Sequence, residues 1–260
     1  MLQGRSALVT GSTSGIGLAI ARSLAHEGAN VMLNGFGDRD VVEALRASLA
    51  EEHGVDVAYD DADLTRAGEA TALVERTQSR WGSLDVLVNN AGVQHVAPLD
   101  EFPIERWDAI IALNLSAVFL TMRAAIPAMR SQGWGRIINI DSAHGLVASP
   151  YKVAYVAAKH GVLGATKVAA LELANDGVTV NAICPGWVRT PLVEQQLEDR
   201  ARDAGTDVAH EATRLLSEKQ PMLTFTAPES IGALAVFLCA DHAATITGSA
   251  LSIDGGWVAQ

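Results

Sequence analysis

The sequence predicts an α/β domain, a doubly wound parallel sheet of about seven strands with helices on both faces. Three observations predict it. Short apolar runs alternate with helical patterns along the whole chain, as they do where crossover helices join parallel strands. Runs such as Val86-Leu87-Val88 and Ile137-Ile138-Asn139-Ile140 are close to continuously apolar, which suits strands buried on both faces. No linker, internal repeat or low-complexity tract divides the chain, so residues 1–260 read as a single domain, large enough for one substantial core.

The first strand is read at 5–10, where Ser6-Ala7-Leu8-Val9-Thr10 forms a short apolar run. Gly11-Ser12-Thr13-Ser14-Gly15-Ile16-Gly17 follows, and an apolar helix is read at 15–28. Strand, glycine-rich turn and helix in that order set a pyrophosphate on a helix N-terminus, so the sheet is expected to be Rossmann-like. Gly11 can make the tight turn, Gly15 lets the backbone approach phosphates, and Gly17 lets the helix pack closely on the strand. The spacing is G-x-x-x-G-x-G, not the commoner G-x-G-x-x-G. Further strands are expected at 30–34, 55–60, 84–89, 134–141, 178–184 and 249–253. Helices are expected at 38–53, 65–81, 103–131, 151–175 and 228–240. Residues 187–226 break the alternation: they are polar, rich in Glu, Gln, Asp and Arg, and bounded by Pro185-Gly186 and Pro228. They read as a mobile insertion with one or two short helices, a substrate lid, because they follow a strand whose C-terminal end should border the ligand crevice. The plainer alternative is a solvated surface excursion.

Hydrophobic residues make up 49% of the chain, which places it among globular proteins. Lys and Arg number 19 against 30 Asp and Glu, a formal charge of −11, which argues against nucleic acid or an anionic membrane surface as a main partner. A site can still hold a small anion, because its local charge can oppose the net charge. Cys184 and Cys239 lie in apolar stretches and form neither metal spacing nor a disulfide framework, so they read as buried small hydrophobes in a reducing, cytoplasmic setting. The first strand starts too soon after Met1 for a signal peptide, and charges interrupt every apolar stretch before it reaches membrane-span length.

The chemistry is announced by Tyr155-Val156-Ala157-Ala158-Lys159, thirteen residues after Ser142. Residues four apart on a helix share a face, so a phenol and an ammonium lie side by side. A free phenol is a poor base at neutral pH, and a neighbouring cation favours its phenolate. Such a group can take the proton of an alcohol while hydride leaves the same carbon. Alone the pair is a weak sign, since surface helices carry many. Its weight comes from the glycine turn upstream.

Thr10 to Gly17, Asn89-Asn90-Ala91-Gly92, Asn114, Ser142, Tyr155, Lys159 and Pro185-Gly186 stand in an order that resembles the short-chain dehydrogenase/reductase family along essentially the whole chain. The resemblance implies reversible oxidation of a secondary alcohol to a ketone with a nicotinamide cofactor. It implies a catalytic tetrad. Tyr155 is the base in oxidation and the acid in reduction, and Ser142 hydrogen-bonds the substrate oxygen. Lys159 supports Tyr155 and holds the nicotinamide ribose, and Asn114 fixes a water linking Lys159 to solvent. Asn114 could also simply satisfy a helix irregularity, and the two readings are compatible. The cofactor site so implied comprises Gly11, Thr13, Ser14, Gly15, Ile16, Gly17, Phe36, Asp63, Leu64, Asn90, Ala91, Gly92, Pro185, Gly186, Val188 and Thr190, together with Tyr155 and Lys159.

Gln94 to Pro98, Ser142 to Val147, Trp187 and the ending Asp254 to Gln260 are similar to the bacterial D-3-hydroxybutyrate dehydrogenase branch of the family. That closer resemblance implies a carboxylate held by Gln94, His144, Lys152 and Gln196, and apolar walls made by Trp187 and Trp257. It also implies the D enantiomer, NAD, a place in ketone-body metabolism, and a homotetramer built on the helices at 103–131 and 151–175 and the C-terminal segment. From residue type alone, Lys152 would pass as a surface lysine, His144 as a structural histidine, Gln94 and Gln196 as surface amides, and the tryptophans as core. Lys152 lies three residues before Tyr155, so it can face the same crevice. Some relatives hold a metal near the C-terminal carboxylate, here Gln260, but no ligand cluster in this sequence calls for one.

NAD is also expected from the end of the second strand. Asn34-Gly35-Phe36-Gly37 lacks the acid that often binds a ribose 2′-hydroxyl, unless Asp38 reaches, and it lacks a basic residue for a 2′-phosphate, Arg39 being the one candidate. Asp63-Leu64 would sit by the adenine, or Asp63 would cap the next helix. Asp141, just before the serine, stands where many relatives have a small residue and adds a charge that the motif does not explain. Two other functions compete. An NADPH-dependent 3-oxoacyl carrier-protein reductase would need a basic surface. A non-catalytic dinucleotide sensor would be free to lose Tyr155 or Lys159.

Overall fold

Seven parallel strands form a single sheet in the computed structural model of the chain, which describes residues 1–259. In chain order they are β1 (Ser6–Val9), β2 (Asn30–Asn34), β3 (Val57–Asp60), β4 (Val86–Asn89), β5 (Gly135–Ile140), β6 (Val178–Pro185) and β7 (Ala250–Ile253). They lie in the order β3-β2-β1-β4-β5-β6-β7. The order reverses between β1 and β4, and in open parallel sheets a ligand crevice opens at that switch point, beyond the strands' C-terminal ends.

Both faces of the sheet are covered. Successive strand residues point to opposite sides. Val9, Val88 and Ile138 pack with Ile20 and Leu24 of α1 (Gly15–His26), Leu49 of α2 (Arg39–His53), and Ile231 and Leu238 of α9 (Pro228–Cys239). Leu8, Leu87 and Ile137 pack on the other side. There they meet Leu73 of α3 (Ala67–Trp81), Met122 of α5 (Ala117–Gln132) and Val162 of α6 (Val153–Glu172). The near-continuous apolar runs of β4 and β5 are therefore buried throughout.

The helix expected at 103–131 is interrupted. It runs as α4 (Ile104–Ile111), a π-helical turn at Ala112–Ser116, and α5. Asn114 lies in that turn, with its side chain bridging both backbone groups of Val93: it accepts from the Val93 N–H at 3.0 Å and donates to the Val93 carbonyl at 2.8 Å. Single π turns of this kind recur at functional sites. The run Ile104–Gln132 is long and apolar enough by composition to cross a membrane, yet its α5 part carries Ala117, Val118, Met122, Ala125 and Met129 into the core against the sheet.

The helix expected at 151–175 starts at Val153, because Tyr151 holds a left-handed φ of 68°. It is the one non-glycine residue with positive φ among those described. Its carbonyl accepts from the Ala97 N–H at 3.0 Å, which ties the loop after β4 to the start of α6. Asp63 does not cap α3, which begins at Ala67 with Arg66 at the cap position. Its carboxylate instead closes a turn, accepting from the Thr65 N–H and hydroxyl at 3.0 and 2.7 Å.

Residues 187–226 contain two helices, α7 (Pro191–Ala204) and α8 (Val208–Ser217). Thr190 caps the first through the Val193 N–H and Asp207 caps the second through the His210 N–H. Gln220 fastens the base of the excursion, accepting from the Trp187 N–H and donating to the carbonyls of Met222 and Thr224.

Gly17 sits where α1 crosses β1, and a Cβ there would overlap the Gly11 carbonyl oxygen. Gly17→Ala is expected to destabilise the fold by about 1–3 kcal/mol through overpacking. A thermal midpoint equal to that of the wild type would show that α1 can move away from β1 at no cost.

Candidate active site

A cavity of roughly 520 Å³ opens where β1, β4, β5 and β6 end. Its first half is made by the glycine turn. Gly11 and Gly15 hold φ values of 61° and 56°, and a Cβ on Gly11 would come within 2.8 Å of the Ala91 Cα. Ser14, at the cap position of α1, makes no side-chain cap bond. The first-turn amides therefore have no side-chain acceptor, the arrangement that suits an anion. Asn90 pins the next strand's loop onto this turn, its amide donating to the carbonyls of Thr10 and Gly11 at 3.0 and 2.9 Å. Thr10 Oγ1 accepts from the Asn90 and Ala91 N–H groups in return. Beneath them Thr121 donates to Asn89, Asn89 to Asn139, and Asn139 to Thr166, so the buried polar groups under the crevice are paired.

The far end of this half is lined by Asn34, Gly35, Phe36, Ala62, Asp63, Leu64 and Thr65. Phe36 is 69% exposed. Asp38 is spent as the cap of α2, accepting from the Asp40 and Val41 N–H groups at 3.0 and 3.2 Å. Lys152 and Lys159 are the only Lys or Arg side chains lining the cavity among the described residues, and both stand at its other end. This cradle fits a nicotinamide dinucleotide: glycines where a Cβ would collide, a helix N-terminus with open amides, and an apolar slot beyond.

The second half holds Ser142, Tyr155 and Lys159 together. Lys159 is buried, donates to the Ile140 carbonyl at 2.7 Å, and sits 5.6 Å from the Tyr155 ring centre. Ser142 caps a short turn at Ala143–Gly145, its hydroxyl accepting from the His144 N–H at 3.1 Å. The His144 ring lies edge-on to Tyr155 and Trp257, with Nε2 3.0 Å from the Ser149 hydroxyl. Burial, with the charges of Lys152 and Lys219 adding to it, pushes the His144 imidazole down to about 4. At neutral pH it is therefore a hydrogen-bonding group, not a cation. Lys152 is the cation on this side. Its ammonium lies 5.7 Å from the Trp187 ring centre, and burial lowers its pKa while Glu218 opposes. No carboxylate among the described residues forms a salt bridge with it. Trp187 and Trp257 stack at 6.1 Å to form an apolar wall.

Most residues expected from the sequence line this cavity, including Gln94, Gly92, Pro185, Gly186, Val188 and Thr190. Three do not. Gly17 acts one layer back, as helix packing. Asn114 is fully buried and supports Val93 and the helix irregularity. Gln196 lies on α7 one turn beyond Leu192 and Val193, which line the cavity, and is itself outside the lining. Sequence reasoning missed those two apolar residues and Ser149. Pro191 as a helix start could have flagged the former, whereas nothing near Ser149 marks it as a partner of His144. Among the described residues no group of three or more His, Cys, Asp or Glu is placed to hold a metal, and Gln260 lies outside them.

The neutral state of His144 is measurable. A histidine NMR titration should show one imidazole, absent in His144→Gln, with a midpoint near 4. A midpoint near the ordinary histidine value of about 6.5 would contradict the burial argument.

A family profile described as enoyl-(acyl carrier protein) reductase matches residues 11–258. D-beta-hydroxybutyrate dehydrogenase of Cupriavidus necator is 55% identical over 260 residues, covering 100% of both chains. The enzyme of the same name from Rhizobium meliloti is 52% identical over 256 residues, covering 98% of this chain and 99% of its own. Among solved structures, L-sorbose reductase from Gluconobacter frateurii, complexed with NADPH and L-sorbose, superposes with a TM-score of 0.95 at 33% identity, over 100% of this chain and 98% of that one. With a dinucleotide cradle, a Ser–Tyr–Lys group at its inner end and similarity along its full length, the chain belongs to the short-chain dehydrogenase/reductase family.

Proposed function

We propose that the protein is an oxidoreductase that reversibly converts D-3-hydroxybutyrate to acetoacetate, with NAD as hydride acceptor. The observation that carries this reading is Lys152: a half-buried ammonium without a salt-bridge partner among the described residues, in the same small cavity as Ser142 and Tyr155 and against a tryptophan pair. A four-carbon hydroxy acid has the matching parts, a carboxylate at one end, a secondary alcohol at C3 and a methyl beyond it. The names of the two relatives from Cupriavidus necator and Rhizobium meliloti support the same substrate.

The Tyr155 oxygen takes the hydroxyl proton of the substrate as the C3 carbon is oxidised, and returns it in reduction. The Ser142 hydroxyl holds the same substrate oxygen and stabilises charge that develops on it. Lys159 stands beside Tyr155, fixed by the Ile140 carbonyl. When bound, the nicotinamide ring supplies the hydride acceptor. Lys152 pairs with the carboxylate, with neutral His144 and Gln94 as hydrogen-bonding neighbours. Gln196 joins them when α7 and α8 close as a lid. Trp187 and Trp257 limit the acyl chain to a few carbons.

NAD rather than NADP is supported by the adenosine end, where no Lys or Arg among the described residues lines the cavity to meet a 2′-phosphate, although Asp38 is engaged as a helix cap and supplies no acid for a ribose hydroxyl. Arg39, exposed at the start of α2, is the group that could favour a 2′-phosphate instead. The buried free thiols suit a reducing, cytoplasmic compartment. Exposed Ile104, Trp107 and Phe119 on α4 and α5, and Val168 and Leu171 on α6, suit the covered faces of a homotetramer. A carrier-protein reductase is less well supported, because the formal charge of −11 repels an acidic carrier.

The test is cofactor reduction by purified protein with D- and L-3-hydroxybutyrate, each with NAD and NADP. Turnover confined to the D form with NAD is expected, and turnover on neither enantiomer would end the substrate assignment. Tyr155→Phe should lower kcat by about 10²–10⁴-fold while NAD binding persists. Equal kcat would remove Tyr155 from proton transfer. Lys152→Ala should raise KM for the hydroxy acid roughly 10- to 100-fold, with KM for NAD unmoved. Parallel changes in both would mean that Lys152 supports the site as a whole instead of the carboxylate.

A further inference from the structure

Asp141 is a buried ionisable group beside the reacting residues that the chemistry above leaves unused. It continues β5 by one residue, its N–H donating to the Ile183 carbonyl at 2.7 Å. It is 4% exposed and borders the cavity. One carboxylate oxygen accepts from the N–H of Ser142 at 2.7 Å. The other, Oδ2, is buried and has no hydrogen-bond partner. The Ala143–Gly145 turn closes over it, and a Cβ at Gly145 would overlap Oδ1, so the glycine there is a consequence of the aspartate. The titratable groups that face it are Lys159 and His160 from α6 and Cys184 from β6. The Lys159 ammonium is hydrogen-bonded to the carbonyl of Ile140, the residue directly before Asp141.

We propose that Asp141 is a positioning residue of the reaction, whose buried carboxylate fixes the Ser142 backbone and, as a negative charge beside Lys159, sets the pH range in which Tyr155 can act as a base. Two parts of the geometry support it. An unpartnered carboxylate oxygen in a dry wall is costly to the fold, so packing alone does not explain it. Its charge also sits next to the ammonium on which Tyr155 depends, where it offsets that ammonium and works against a second negative charge on the phenol oxygen. Burial, opposed first by Lys159 and then by the Ser142 amide, pushes the Asp141 carboxyl up to about 6. It is therefore charged in neutral and alkaline solution.

The sign for stability follows from the same shift. A carboxyl raised above its unfolded value costs stability as pH rises from about 4 through about 6, and costs nothing below that window. Asp141→Asn keeps an acceptor for Ser142 and removes the charge. This inference rests on the proposed role of Tyr155. Its test is kcat/KM for 3-hydroxybutyrate with NAD between about pH 5.5 and about pH 10, together with thermal midpoints. In Asp141→Asn the acidic limb of the oxidation profile is expected to move down by about half a pH unit or more. That is a ~3-fold gain in kcat/KM at a fixed pH on that limb. The thermal midpoint should rise at neutral pH but not near pH 4. Asp141→Ala, which also loses the amide acceptor, should show the same limb shift with a lower kcat. A wild type without turnover would overturn the proposed function. Turnover with an unmoved limb in Asp141→Asn would overturn this inference alone.

Discussion

The closeness of α1 to β1 at Gly17 is the constraint on which the rest of the site depends. With no side chain at Gly17, the helix backbone can lie against the Gly11 carbonyl and the Asn90 amide. That fixes where the N-terminus of α1 points, and so where a phosphate can rest. Asn90 transmits the same position to the loop after β4, which carries Gly92, Val93 and Gln94. Val93 is held in turn by Asn114, and this is what opens the π turn between α4 and α5. One short contact thus links the dinucleotide cradle to the long crossover helix, through the hydrogen bonds of Asn90 and Asn114 and the backbone between Asn90 and Val93.

The reacting half is organised by what burial does to charge. His144 is too deeply placed to be a cation at neutral pH, so it contributes direction without repulsion toward Lys152. Lys152 loses hydration and has no carboxylate in a salt bridge among the described residues to replace it, which suits the carboxylate role proposed for it. Lys159 is compensated locally by a main-chain carbonyl and by the neighbouring Asp141. The chain as a whole is acidic, yet the two cations at this end of the cavity face its interior. Net charge therefore describes the outer surface and says little about the pocket.

The seven strands and their order of helices were legible in the sequence because period and length are local properties. The Tyr155–Lys159 pair and the glycine turn were legible because the chemistry requires fixed spacing. What the sequence hid were features set by contacts between distant segments. The break at Ala112–Ser116 depends on Val93, some twenty residues away, and no local propensity marks it. The late start of α6 comes from the left-handed Tyr151, a conformation that residue type argues against. Gln196 was assigned by resemblance to the carboxylate group, and it stands on α7 one turn beyond the cavity-lining Leu192 and Val193. Asp63, read beside the adenine with a helix cap as the alternative, lines the cavity and closes its own turn, because α3 begins two residues later than the pattern suggested.

The hydrogen bond from Ala97 to the Tyr151 carbonyl has a wider meaning. It joins the segment bearing Gln94 to the one bearing Lys152, two stretches distant in the chain that meet at one side of the pocket. Gln94 follows β4 and Lys152 directly precedes α6, whereas Leu192, Val193 and Gln196 ride on α7 in the excursion between β6 and α9. On the proposed function, the substrate site is thus divided between two separate jaws. Natural variation in α7 and α8 can then alter which acid is accepted while the proton-transfer groups stay where they are. Such modularity is a route by which one ancestral scaffold could diversify its substrates without rebuilding its chemistry.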